Sequence, residues 1–346
     1  MSRWTLVAGS MLITGIVQAA PEQVPLYREI RDWVVACDNL RGCQALSAAE
    51  GFEYTPLALH LHRDAGAQAP LQLYVRDVEQ GGFSALLLDG KPLASADALR
   101  RVERDGETLL MAEGDAALAL LAELRNGEQL RMAGAREPEA LVSLSGLAAA
   151  LLLIDAVQGR VDTRSALYRP GTRADSAVPA APQAPRLRAY PQTVPLTQAE
   201  SQAIAAAVMA QTRSQWVEED MDSEPEAEAF ALDEREALVI IRTWCAAYNC
   251  DFAVFRVDRR PPHAELELRL DELPLGHGGL SGWVSYAPET GELGYLYKGR
   301  GIGDCGEAGA WRFDGERFQL ASFSYMGRCA GGNPGEWPEL WRVAEP

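Results

Sequence analysis

The chain is poor in histidine, poor in positive charge and without a long apolar run, and each shortage removes a class of function. Four histidines, at 60, 62, 263 and 277, stand among 346 residues. None lies within ten residues of a cysteine, which removes the mixed Cys/His ligand sets of structural zinc sites. No Gly-x-Ser-x-Gly elbow occurs, and so few histidines leave little choice for the base of a catalytic triad. Lys and Arg number 32 against 49 Asp and Glu, a net charge of −17. Such a chain repels phosphate backbones and anionic lipid, so nucleic acid and membrane surfaces are poor partners. The apolar stretches Trp4 to Val17 and Leu141 to Ile154 are both shorter than the roughly 20 residues a membrane helix needs.

The first of those stretches follows Arg3 and ends in small residues, with Val17 and Ala19 placed as in a cleavage site. That is the pattern of a secretory signal peptide over 1–20, cleaved after Ala19 or Ala20, and it leaves no transmembrane segment in the mature protein. Export makes disulfides the expected state of the six cysteines. Six allow 15 connectivities, and the spacing favours the local pairs Cys37–Cys43, Cys245–Cys250 and Cys305–Cys329. Cys37 and Cys43 are not a Cys-x-x-Cys redox pair.

Residues 170–195 carry six prolines and no apolar periodicity, the composition of a semi-extended linker. The expected organisation is an N-terminal α+β domain over 21–168, a linker over 169–195, and a C-terminal helix plus antiparallel β domain over 196–346. In the first half, Ile30 to Ala36 reads as one strand containing Trp33. Leu71, Leu73 and Val75 alternate with Gln72, Tyr74 and Arg76, a half-buried strand. Further strands are expected over 83–88 and 140–144, and helices over 114–125 and from Ser145 onward. In the second half, Thr197 and Glu200 form a capping box for a helix reaching about Gln211. An acidic run, 218–228, reads as a solvated loop, since it lacks the Asp/Asn alternation of a calcium site. About seven strands should follow as one antiparallel meander, with Ala264 to Leu270 among them and a hairpin turn at Asp314-Gly315.

"GRGIGDCG", 299–306, is the densest glycine stretch. A phosphate loop needs strand, loop and then helix, but a strand and hairpin follow Cys305. The glycines therefore read as a tight connection stapled by Cys305–Cys329, and Arg300 and Asp304 on it are candidate contact residues. Trp33, Tyr248 and Asn249 join them as candidates for a binding surface, although Trp33 and Tyr248 also suit a core. His60 and His62 share a strand face without a visible third metal ligand, and no metal site is assigned.

"RDWVVACDNLRGCQAL" at 31–46, "SGLAAALLLIDAVQGRVDT" at 145–163, "AYNCDFAVFRV" at 247–257, "YKGRGIGDCGEAGAWRFDGERFQL" at 297–320 and "CAGGNPGEWPELWRV" at 329–343 resemble, in order, blocks of the bacterial domain-of-unknown-function family 1176. The resemblance departs at Ala330, where it implies a basic residue. It implies an exported protein and no established activity. The Trp near a Cys in the opening strand and the Ser-Gly helix start also resemble the invasion-associated locus B proteins. The sequence thus points to two α+β, β-rich domains with local disulfides, and to a periplasmic, non-catalytic binding or interaction module without cofactor. Its partner is an envelope protein or a small molecule. The alternatives are an envelope hydrolase of glycan or peptide, with Asp304 and Glu307 as its carboxylates, and an inhibitor of a lysozyme-like enzyme.

Overall fold

A computed structural model describes residues 23–49, 57–77, 85–104, 107–133, 141–191, 193–216, 224–330 and 332–344. The expected signal segment 1–20 and most of the acidic run lie outside these residues.

The first half opens with β1 (Leu26–Ile30), β2 (Trp33–Cys37), β3 (Cys43–Ser47), β4 (Leu57–Arg63) and β5 (Leu71–Asp77). After β6 (Leu86–Leu88) and β7 (Lys91–Pro92), β8 (Arg100–Arg104) and β9 (Glu107–Glu113) rejoin them in an antiparallel sheet ordered β1-β2-β3-β4-β5-β9-β8. Then come α1 (Asp115–Leu124), β10 (Gln129–Met132), β11 (Leu141–Ser143) and α2 (Leu147–Val157), and β11-β10-β6-β7 form a small second sheet. The run Ile30 to Ala36 is a hairpin rather than one strand. Arg31, at φ 52, turns the chain back, and Ile30 pairs with Trp33. Side-chain alternation gives the seven-stranded sheet two distinct faces. Trp33, Val35, Leu59, Leu61, Leu73 and Val75 pack with Leu120, Leu121, Leu151 and Ile154 of the helices in one apolar core. The other face carries Val34 and Ala36 at one end and polar residues along the middle.

In the second half, α3 (Gln198–Trp216) starts at the expected box: the Thr197 amide donates to Glu200 Oε2 at 2.8 Å. It extends beyond Gln211 because Val208 and Thr212 continue its buried face. The strands β12 (Glu226–Ala231), β13 (Glu236–Cys245), β14 (Cys250–Asp258) and β15 (Glu265–Leu266) form one sheet. β16 (Trp283–Ala287), β17 (Glu292–Lys298), β18 (Gly306–Phe313), β19 (Phe318–Met326) and β20 (Glu339–Trp341) form another. The expected single meander is therefore two sheets. Only Glu265 and Leu266 of the alternating run 264–270 are strand. The chain then crosses through Leu275, Gly276, Gly279, Leu280 and Gly282, all at positive φ. Leu268 and Leu270 still bury their apolar faces against the core between the sheets. Helix α3 covers Val239 and Ile241 on one face of the four-stranded sheet, while Leu238 and Ile240 on its other face pack with Leu293, Tyr295, Trp311 and Phe323. The described residues are mostly β, in several antiparallel sheets with three α-helices, in keeping with the β-rich expectation.

The three disulfides are the local ones: Cys37–Cys43, Cys245–Cys250 and Cys305–Cys329, with Cα separations of 4.1, 3.9 and 4.6 Å. The proline-rich segment is extended, and it is pinned along its length. Val178 is buried, the Arg188 amide donates to Gln319 Oε1 at 2.8 Å, and the Tyr190 and Tyr286 hydroxyls meet at 3.3 Å. Among the described residues no helix is long and apolar enough to cross a membrane.

Candidate functional site

Four of the five candidate contact residues meet at one corner of the second half. The Cys245–Cys250 hairpin presents Asn249, whose side chain donates to Lys298 O at 2.8 Å and accepts from the Lys298 amide at 3.1 Å. This double bond ties the hairpin tip to the start of the glycine stretch. Within that stretch Arg300 Nε donates to Asp304 Oδ1 at 2.7 Å. Asp304 is buried, not exposed as expected, and its charge is matched by Arg300 inside the loop. The glycines serve close packing. A Cβ at Gly306 would lie 2.0 Å from Tyr297 O and 2.7 Å from the Trp337 ring. No helix follows, so no phosphate cradle is formed.

Tyr248 is exposed, with its ring over Gly301, and its carbonyl accepts the Trp283 indole N–H at 2.9 Å. Trp283, half-exposed at the sheet edge, completes the corner and was missed in the sequence, where it sits in an unremarkable strand. Trp33 lies elsewhere, fully buried in the first core, with its indole donating to Ser143 O at 3.1 Å. The carboxylates Asp304 and Glu307 do not form a working pair. Asp304 is held by Arg300, whereas Glu307 meets the His277 imidazole and accepts from Tyr295 OH at 3.2 Å.

A concave surface lies between the halves. It is a cleft of about 650 Å³, with the polar face of β3, β4 and β5 on one side and β19, β20 and the 333–337 turn on the other. Gln44, His60, His62, Gln72, Tyr74 and Arg76 line the first wall, and Ser324, Asn333, Glu336, Trp337 and Glu339 the second. Alternation explains the first set: with Leu59, Leu61, Leu73 and Val75 committed to the core, the intervening residues must face the cleft. The second wall is shaped by a capping box. Asn333 Oδ1 accepts from the Gly335 amide at 2.9 Å, and Glu336 Oε2 accepts from the Asn333 amide at 3.1 Å. Arg76 Nη1 crosses the cleft base to Glu336 Oε1 at 2.6 Å. At one end Arg342 holds Asp38 and Asp64, each at 2.6 Å.

Two groups on the second wall lack a hydrogen-bond partner among the described residues. Trp337 is 6% exposed and its indole N–H meets no acceptor. The Glu339 carboxyl makes no hydrogen bond or ion pair, and burial pushes its pKa above the usual glutamate range, with Arg342 pulling the other way. Asp64 goes down instead, held by His62 and Arg342.

Residues 27–344, spanning both walls of the cleft, match the family described as "Protein of unknown function (DUF1176)". The chain belongs to this family. A protein of Escherichia coli (strain K12) described as "Uncharacterized protein YpfG" is 31% identical over 352 residues, covering 96% of each chain. No solved structure matches. The likeness to invasion-associated locus B proteins rests only on the residues quoted for it. Membership of DUF1176 assigns no activity.

Proposed function

We propose that this DUF1176 protein is exported to the periplasm and there binds, without turnover, an uncharged polar small molecule in the cleft between its halves. The cleft carries the reading: about 650 Å³ lined by amides, hydroxyls and imidazoles, with the half-buried Glu339 carboxyl left without a hydrogen bond among the described residues. A polar group without a partner in a cleft favours a ligand that supplies one. The Arg76 charge is balanced by Glu336, which favours an uncharged ligand. Binding is preferred to hydrolysis because paired-carboxylate chemistry needs two available carboxyl groups. Glu336 already accepts from Arg76 and the Asn333 amide, which leaves Glu339 alone.

The binding half of the proposal is tested by thermal shift with a panel of sugars, polyols and amides. Members that stabilise the wild type should lose their effect on Gln72→Ala and Glu339→Gln; equal stabilisation of both variants would remove the cleft as the site. The export half rests on the sequence of residues 1–20. Fractionation with N-terminal mass spectrometry should find periplasmic protein beginning at Ala20 or Pro21. Uncleaved protein in the cytoplasm would overturn it.

A further inference from the structure

The cleft does not end at Ser324. This residue also lines a shallow depression of about 380 Å³ on the outer face of the five-stranded sheet. Strand pairing sets its floor. Trp283, Leu296, Ala308, Ser324 and Glu339 are successive cross-strand partners from β16 to β20. Beside them runs a second row, Ser285, Gly294, Ala310 and Ser322. Four strand intervals make the first row about 19 Å long. It starts at a half-exposed tryptophan and ends at the unpartnered Glu339 inside the cleft.

We propose that the occupant of the cleft is a linear, uncharged glycan chain that passes over this row and stacks its far end on Trp283. The proposal rests on the cleft-binding reading above and names its ligand class. The backbone of β17, β18 and β19 is paired on both sides, so this face offers an extended peptide no ladder to join. A ligand lying here must bring its own hydrogen-bonding groups. The floor offers the hydroxyls of Ser285, Ser322 and Ser324, and its small side chains let flat rings approach closely. No residue of the two rows before Glu339 is charged, which suits an uncharged chain. Trp283 supplies the platform. Its N–H is tied to Tyr248 O at 2.9 Å, so the ring is oriented with half its surface open.

The test is titration calorimetry with two uncharged linear series, cello-oligosaccharides and N-acetylated chito-oligosaccharides, of one to eight residues. Affinity in one series should rise with length and then level off. Trp283→Ala should lower long-chain affinity about tenfold while sparing the disaccharide. Ala310→Gln, which leaves the aromatic corner intact and obstructs the floor, should do the same. Binding that does not change with length would overturn the extended path while leaving the cleft reading in place. A length gain that survives both substitutions would also overturn it. If neither series binds, the glycan assignment falls, and the panel above decides separately whether the cleft binds anything else.

Discussion

Arg76 and Glu336 meet at 2.6 Å across 260 residues of sequence, joining the two walls of the cleft at its base. The Arg76 side chain is 8% exposed and that of Glu336 23%. Removing one partner of such a pair strands the other's charge. Arg76→Ala is expected to destabilise the fold by about 3 kcal/mol, whereas the apolar pair Arg76→Met with Glu336→Leu should restore most of the loss. Urea unfolding of the three proteins checks this, and equal stability of the single variant and the wild type would contradict it.

Glu339 gives a pH signature. Burial favours its protonated form in the folded state, while in the unfolded chain it titrates in the ordinary range. As pH rises, the unfolded chain releases this proton first, and the contribution of the group to stability falls until the folded pKa is passed. Glu339→Gln should therefore melt at a higher temperature than wild type at neutral pH, with the two curves converging below about pH 4. A constant difference across that window would show that burial does not govern this carboxyl.

Asn249 holds the aromatic corner through two bonds to the Lys298 backbone. Asn249→Ala should cost about 1 kcal/mol and speed hydrogen exchange at the Lys298 amide. Exchange at Val35, in the first core, serves as the internal reference and should not change.

Cys305 and Cys329 close a loop of 24 residues that contains the β18–β19 hairpin. Replacing both by serine should lower stability by about 3 kcal/mol in the loop-entropy account. It should also loosen the packing of Val34 against Met326 and Trp337. Chemical denaturation followed by tryptophan fluorescence would report both.

What the sequence made legible was local. The three cysteine pairs, the Thr197–Glu200 box and the Asp314-Gly315 turn each depend on residues close in the chain, and each is present. Residues 31–32 hid a turn because an arginine carries the positive φ where glycine or asparagine is expected. The alternating leucines at 266–270 suggested a strand because a crossing segment buries the same periodicity. The cleft was illegible for a different reason. Gln72, Tyr74 and Arg76 alternate with buried residues just as solvent-facing side chains do, and nothing nearby in sequence reveals that 324–339 stands opposite. The proline-rich stretch lacked periodicity, yet single anchors such as Val178 and Tyr190 suffice to dock an extended chain.

The pairing of an early sheet with a late one also sets an order in time. β1 to β5 and the Cys37–Cys43 bond draw on neighbouring residues and can form while the rest of the chain is still being delivered. The second wall needs residues some 260 positions further on, and contacts of that separation carry a large closure entropy and form slowly. Until they arrive, the face that holds Val34, Ala36 and Tyr74 stands bare to whatever else is in the compartment. The interval before the halves meet is therefore when this protein is most open to aggregation or to a chaperone.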